Sequence, residues 1–316
     1  MNAPIRVSAS AIKNLTHCSL SFYYGRVLKV VEKTWPRTVV GSCVHAVLES
    51  LANPRHRRHF DLITAPGTRV DYTLSPAVAR LVRGWKVRHS ISDELMADLN
   101  GMLYVGLLLI DFYFTKAVKV YPPEYEFNLD LGDGMMVRGF IDQLADMGEY
   151  ILLRDFKSQR ARFTEKELAE SIQAFVYQMV CLELFGKPAR VEFVMLRHPP
   201  TKRTPMKHLQ IVEPSTTSQL AGLREYLRSM GKVMNDFTLE EGMRSPCTDV
   251  GFCERVCSFY APSDYYALVL KSDPTQAPLK TFPLDKPPAQ WDMERETLVK
   301  KRHEGCLAKW RQPEAG

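Results

Sequence analysis

Arg138-Gly139-Phe140-Ile141-Asp142 and, ten positions later, Leu152-Leu153-Arg154-Asp155-Phe156-Lys157 are the two strings that decide how this chain is read. Each is an apolar run of strand length that ends on charge. An aspartate closing one strand, followed by Asp-Phe-Lys closing the next, sets two carboxylates and an ammonium side by side. Metal-assisted hydrolysis of a phosphodiester requires that combination. The bland alternatives are an exposed Asp-Lys pair worth little in stability and, at Asp142, a last polar residue before a turn.

Outward from these strings, Glu124 to Leu131 reads as a strand and Asp133-Gly134 as a tight turn. Met135 to Leu144 is a second strand, Met147-Gly148-Glu149 another turn, and Tyr150 to Phe156 a third strand, giving an antiparallel meander. Thr164-Glu165-Lys166-Glu167 is a capping box opening a helix to about Phe185. Arg190 to Leu196 and His208 to Val212 are further strands. Upstream, Ser8-Ala9-Ser10 caps a helix through Ile12 and Leu15 to about Tyr24, and a second helix begins near Gly41 with Val44, Val47, Leu48 and Leu51 on its apolar face. A helical insertion over the core is expected from about 53 to 120. A helix from Thr217 to Phe237 leads into a cysteine-rich segment. Beyond Lys271 the chain turns Pro-rich and polar, so the expected division is a domain over 1–270 and a linker and tail over 271–316, with one weak amphipathic helix from Trp291 to Trp310.

At 316 residues, 45% hydrophobic and 25% charged, the composition is that of an ordinary soluble chain. The start has no apolar run of signal-peptide length, and Met102 to Phe114 is too short to span a bilayer, so a cytoplasmic protein without a membrane role is expected. The formal charge of +6 and the pI near 8.9 suit a nucleic-acid partner without requiring one. Arg55-His56-Arg57-Arg58-His59 and the series Arg80, Arg83, Lys86 and Arg88 beside Trp85 are candidate DNA contacts; the alternative is a solvated helix face. No Gly-x-x-x-x-Gly-Lys-(Ser/Thr) loop occurs, so any helicase would be a separate protein.

Seven cysteines without a secretory signal point to free thiols or metal ligands. Cys247, Cys253 and Cys257 crowd together, with Cys18 near the N-terminus. Cys43 and Cys181 lie in apolar helical patterns as small core residues, and Cys306 stands alone in a polar tail.

The order helix, three strands, helix, strand, with these residues at these places, resembles the PD-(D/E)XK nuclease superfamily, and within it the RecB-like branch, from Ser8 to about Tyr260. The branch's Gly-x-x-x-His helix, Gly-x-Ile-Asp strand, Asp-x-Lys strand and Gln-x-x-x-Tyr helix correspond to Gly41 to His45, Gly139 to Asp142, Asp155 to Lys157 and Gln173 to Tyr177. The resemblance implies an α/β, restriction-endonuclease-like core, a mixed central sheet flanked by helices. It further implies a divalent-metal-dependent deoxyribonuclease, more in keeping with an exonuclease than an endonuclease. The cysteine distribution extends the resemblance to AddB-type and CRISPR-adaptation nucleases, in which a 4Fe-4S cluster on residues such as Cys18, Cys247, Cys253 and Cys257 staples the N- and C-terminal regions. The spacings here, five residues then three, depart from the short Cys-x-x-Cys step of many relatives. A tetrahedral zinc site would equally satisfy four thiolates, and unligated thiols are the remaining reading.

The residues support the same chemistry on their own. Asp142 and Asp155 are hard oxygen donors of the kind Mg²⁺ and Mn²⁺ prefer, and His45 would add an imidazole more suited to Mn²⁺. Lys157 shares a strand face with Asp155 and can orient or deprotonate a water. Gln173 and Tyr177, at i and i+4, can position Lys157 or a phosphate oxygen. Glu126, in Glu124-Tyr-Glu-Phe, is as well placed for the surface as for the metal and is not assigned to the site. The expected partners are DNA and a separate helicase, recombinase or single-strand-binding protein. The rival reading is a nuclease-fold DNA-binding or complex-assembly subunit without cleavage.

Overall fold

Asp133 and Gly134 both take left-handed backbone, φ 54° and 72°, the geometry of a two-residue hairpin turn that aspartate and glycine tolerate. The chain folds back there as the sequence suggests. The computed structural model describes residues 5–33 and 35–308. It divides into two compact units, Met1–Arg6 with Thr34–Arg228 and Val7–Lys33 with Ser229–Gly316.

The strands of the first unit are β1 (Ile5–Val7, whose last residue falls in the second unit), β2 (Lys119–Val120), β3 (Tyr125–Gly132), β4 (Met135–Ile141), β5 (Gln143–Asp146), β6 (Ile151–Lys157), β7 (Ala189–Met195) and β8 (Leu209–Val212). They form two sheets, ordered β1-β4-β3 and β2-β5-β6-β7-β8. β6 and β7 run parallel and the other pairs of the larger sheet antiparallel, so the α/β class with a mixed sheet holds. One continuous meander does not form. The expected strand from Met135 to Leu144 breaks at Asp142: β4 pairs with β3, whereas β5 pairs with β6. Asp142 therefore sits at the bend between two sheets, where a side chain is free of both ladders.

β6 is buried from Ile151 through Phe156, as expected of a central strand covered on both faces. The helix Pro36–Ala52 begins at a proline, which suits a first helical turn, five residues ahead of the expected Gly41. Its Val44, Val47, Leu48 and Leu51 pack with Met102, Leu103, Phe156 and Val194 in one core; burying each such side chain contributes about 1.5–3 kcal/mol. The insertion is helical, with Arg57–Thr64, Pro76–Arg88 and Leu99–Leu108 its longest pieces. The helix expected from Thr164 to Phe185 is interrupted: the capping box on Thr164 and Glu167 opens Glu165–Ala169, and Ser171 caps a second helix, Ile172–Phe185, by accepting from the Ala174 N–H.

Two glycines are required by close approach. A Cβ at Gly41 would lie 2.3 Å from Ser158 Oγ, and one at Gly139 2.5 Å from the Phe127 ring. These glycines let the helix reach the end of β6 and let β4 lie flat on β3.

In the second unit the expected helix to Tyr24 breaks at Cys18, which is extended (φ −155°, ψ 105°) between Ala9–His17 and Ser19–Phe22. A residue on an extended backbone cannot propagate the helix, and its thiol instead caps the next turn by accepting from Ser21 N–H at 3.4 Å. The tail differs most from expectation. β9 (Ser263–Leu270), β10 (Lys280–Pro283) and β11 (Glu296–His303) form an antiparallel sheet ordered β10-β9-β11. The helix expected from Trp291 is a turn and a strand, and its end at Trp310 lies outside the described residues. Local amphipathicity loses here to long-range pairing: Thr297 and Val299 sit opposite Val269 and Ala267 of β9, which lie in the unit's core. The boundary expected at 270/271 falls between β9 and β10, which are hydrogen-bonded neighbours.

Candidate active site

The Pro36–Ala52 helix carries His45 four residues beyond Gly41, so the glycine contact with Ser158 brings His45 toward the end of β6. His45 Nδ1 stands 3.5 Å from Asp142 Oδ2, and the same oxygen accepts from Phe156 N–H at 2.7 Å. The third group is Glu124, just before β3, whose φ of 51° is uncommon for a non-glycine residue. Ligand atoms of His45, Glu124 and Asp142 all lie within 4.8 Å of one another. They border a small hollow that Glu49, Leu48, Gln143 and Phe156 also line. Gln143 Oε1 is buried there and has no hydrogen-bond partner among the described residues.

Asp155, 5% exposed, is held in a different way. Its Oδ1 accepts from Gln173 Nε2 at 2.7 Å and lies 3.0 Å from the Tyr177 hydroxyl, while Oδ2 is 2.6 Å from Lys157 Nζ. Lys157 donates to Gln173 Oε1 at 2.8 Å, and the second Gln173 amide hydrogen goes to the Tyr177 oxygen at 2.8 Å. Gln173 and Tyr177, one helical turn apart, thus bracket the carboxylate and orient the ammonium. The structure joins the expected Asp155, Lys157, Gln173 and Tyr177 in one network and sets His45 and Asp142 beside it. It gathers Glu124, rather than Asp155, with His45 and Asp142.

Charge is concentrated in this space. Burial pushes the Glu124 carboxyl up to about 7, helped by the neighbouring Asp142 and Glu49. Burial also pushes the Asp155 carboxyl up; the Lys157 ammonium opposes this and Asp142 adds to it. Burial disfavours protonated His45, yet the hydrogen bond and negative charge of Asp142, with Asp155 and Glu124, raise its pKa overall. An excess of carboxylate around a histidine, in a hollow with an unpartnered amide oxygen, fits a hard divalent cation.

Glu124 is the residue that sequence reasoning missed. The Glu124-Tyr-Glu-Phe string offered two glutamates, and the one weighed, Glu126, is exposed and pairs with Arg138 at 2.7 Å. In an unbroken strand the two would point alike; Glu124 instead lies just before β3 on left-handed backbone, opposite Asp142 at the bend after Ile141, and this separates their roles.

On Pro76–Arg88, Val78 and Val82 face inward while Arg80, Arg83 and Arg88 are exposed; Lys86 is paired with Asp93. Trp85, beside this series, packs against the core and stacks on His89 at 5.1 Å. Residues 53–89 hold eight arginines and lysines against two aspartates, a formal charge equal to the +6 of the whole chain.

In the second unit, Cys18 Sγ accepts from Cys247 N–H at 3.2 Å. Cys18, Cys247 and Cys257 line a hollow of about 230 Å³. Cys253 is buried beside them, and burial and these neighbouring thiols push its pKa up to about 12. Cys306 packs into the same cluster and does not stand alone as expected. Among the described residues no three cysteine sulfurs come within 4.8 Å of one another. Cys43 and Cys181 are fully buried core thiols, as expected.

Residues 6–261 match the PD-(D/E)XK nuclease superfamily. Among solved structures, the chain is similar to a proposed exonuclease from Eubacterium rectale at 11% identity and a TM-score of 0.38, covering 80% of this chain and 88% of that one. It is similar also to SSO0001, at 13% identity and a TM-score of 0.28 over 70% of this chain and 92% of the other. Protein VC1899 from Vibrio cholerae matches at 16% identity and a TM-score of 0.24, over 64% of this chain and 58% of its own. No curated protein matches. The match covers well over half of the chain, and the chain belongs to the PD-(D/E)XK nuclease superfamily.

Proposed function

We propose that this protein is a divalent-metal-dependent DNA nuclease of the RecB-like branch, an exonuclease acting on DNA ends or single strands in recombination, repair, replication or phage DNA metabolism. The observation that carries the reading is the adjacency of two sets of side chains: His45, Glu124 and Asp142 clustered as cation ligands, and Asp155 bound to Lys157, Gln173 and Tyr177. Bound at the first set, Mg²⁺ or Mn²⁺ would polarise the scissile phosphate and make a water more acidic. Asp155 adds negative charge beside it. Lys157, held between Asp155 and Gln173, presents an ammonium to the oxygens on which charge builds during attack. Gln173 and Tyr177 fix that ammonium and carboxylate in place. The basic 53–89 segment, with Arg80, Arg83 and Arg88 free of any ion pair among the described residues, would attract and track the phosphate backbone.

Cys18, Cys247, Cys253 and Cys257 are the proposed ligands of a structural 4Fe-4S cluster. The distribution of one N-terminal cysteine with three near the C-terminus, like that of the iron-sulfur nucleases the chain resembles, favours it over zinc. The protein would work in the cytoplasm of a bacterial or phage-infected cell, alongside a separate helicase, recombinase or single-strand-binding protein.

The test is cleavage of end-labelled single- and double-stranded DNA by anaerobically purified protein, with Mn²⁺, Mg²⁺ or chelator, beside Asp155→Ala. Metal-dependent degradation lost in the variant supports the nuclease. Intact DNA in every lane, from folded protein, refutes it. Iron, sulfide and zinc analysis of the same preparation decides the cysteine site: a brown protein containing iron supports the cluster, a colourless one containing zinc overturns it.

A further inference from the structure

Of the chain's fifteen phenylalanines, Phe140 alone is exposed, at 46%. A single exposed apolar residue ordinarily needs no explanation; its position does. Phe140 is the next-to-last residue of β4, and Asp142 follows two positions on, just past the strand's end at the bend. Its backbone is tied to the other half of the site, because the Phe140 carbonyl lies 3.0 Å from the Tyr177 hydroxyl. One flank of the ring is occupied by Arg138, whose guanidinium carbon is 5.7 Å from the ring centre and which Glu126 holds by an ion pair. A flat apolar ring is thereby carried by a residue two positions along the chain from Asp142, whose own carbonyl meets Tyr177.

We propose that Phe140 is a stacking platform for the unpaired nucleobase next to the scissile phosphate, and that it gives the site its preference for single-stranded or frayed ends. The inference rests on the nuclease reading. Its chemistry follows from the neighbours on this face. Glu126, Asn128 and Asp130 are exposed along β3, and Glu126 already neutralises Arg138, so a phosphate finds no unspent cation there. An uncharged, flat, hydrogen-bonding group does fit: the base. A base can reach the ring only when it is out of the duplex stack, which is where the strand preference arises.

The experiment uses the full chain with Ca²⁺ as a probe cation and single-stranded oligonucleotides carrying 2-aminopurine at successive positions from one end. Stacking on Phe140 quenches the fluorescence at one position. Phe140→Ala abolishes that quench and weakens single-strand binding by about 5- to 100-fold. It raises KM more than it lowers kcat and leaves duplex binding at its original strength. Phe140→Trp restores both quench and affinity. Because the side chain is exposed, the melting midpoint of Phe140→Ala stays with that of the parent, which separates lost stacking from lost fold. Unchanged quenching and KM in Phe140→Ala, failure of Phe140→Trp to restore them, or a change confined to oligomeric state each overturns the proposal while leaving the nuclease intact. A wild-type protein that cuts no DNA overturns the nuclease reading alone, since the fluorescence still reports stacking; one that binds no DNA overturns both.

Discussion

Glu124→Gln should stabilise the metal-free protein above neutral pH and blunt its response to divalent cations. The carboxyl is pushed from 4.5 to about 7, first by burial and then by Asp142 and Glu49, with His45 opposing. Between those values the folded protein keeps a proton that the unfolded chain has released. Stability therefore falls as pH rises through this window, and the loss is complete above pH 7. One pKa unit corresponds to about 1.4 kcal/mol. Glu124 is only partly buried, so solvent screening reduces the full value to about 1–2 kcal/mol. Glutamine keeps the shape and discards the charge, so at pH 8 the melting midpoint in chelator should rise by about 2–6 °C. In the parent, a cation must displace that proton below pH 7, so Mn²⁺ affinity climbs with pH. In the variant one of two carboxylate ligands is gone, and Mn²⁺ should bind about 10-fold more weakly or worse. Scanning calorimetry at pH 6 and pH 8, with Mn²⁺ or chelator, measures both effects. The reasoning fails if Glu124→Gln melts no higher than the parent in chelator at pH 8, or if Mn²⁺ raises both midpoints equally.

Asp142→Ala, Asp155→Ala and Lys157→Ala should each remove cleavage while filter binding shows DNA affinity largely kept, because these groups act on the reacting phosphate; retained cleavage in all three would defeat the assignment. Tyr177→Phe leaves Asp155 Oδ1 with Gln173 as its side-chain donor and should lower kcat about 10- to 100-fold with KM nearly unchanged; an unaltered kcat would mean the hydroxyl only supports the Phe140 carbonyl. Gly139→Ala places a methyl 2.5 Å from the Phe127 ring and should cost about 1–3 kcal/mol in urea denaturation. Cys18→Ser should lower the bound iron per chain and the melting midpoint together; full iron content in the variant would remove Cys18 from the ligand set.

The strands, the capping box at Thr164 and the order of the motifs were legible because they rest on local signals: alternation, turn residues with left-handed backbone at Asp133 and Gly134, and charged strand ends. The break at Asp142 was not. Met135 to Leu144 alternates without a visible fault, and only the competition between β3 and β6 for partners splits it. Glu124 was hidden for the same reason, since its place opposite Asp142 depends on that bend. The tail was misread because polar and Pro-rich composition says little about a strand whose partner, β9, lies more than twenty residues away. Cys306 illustrates the converse case: alone in sequence, it joins Cys18, Cys247 and Cys257 only through the fold.

The bend at Asp142 also accounts for the division of labour between the two carboxylates. Asp155 sits inside β6, 5% exposed, with Lys157, Gln173 and Tyr177 all directed at it. A buried carboxylate so provided for is rigid, and it fixes the ammonium at a set distance from whatever phosphate arrives. Asp142 lies between strands, where it accepts from Phe156 N–H, faces His45 and hydrogen-bonds with the Glu124 carboxyl. Its remaining capacity, with Glu124 beside it, is turned toward a cation. If Asp142 instead continued β4 into one long strand, its neighbours would be set by the sheet register rather than by His45 and Glu124. The interruption of the strand is thus what lets one carboxylate serve the lysine and the other serve the metal, within a site whose two strand motifs are separated by only nine residues.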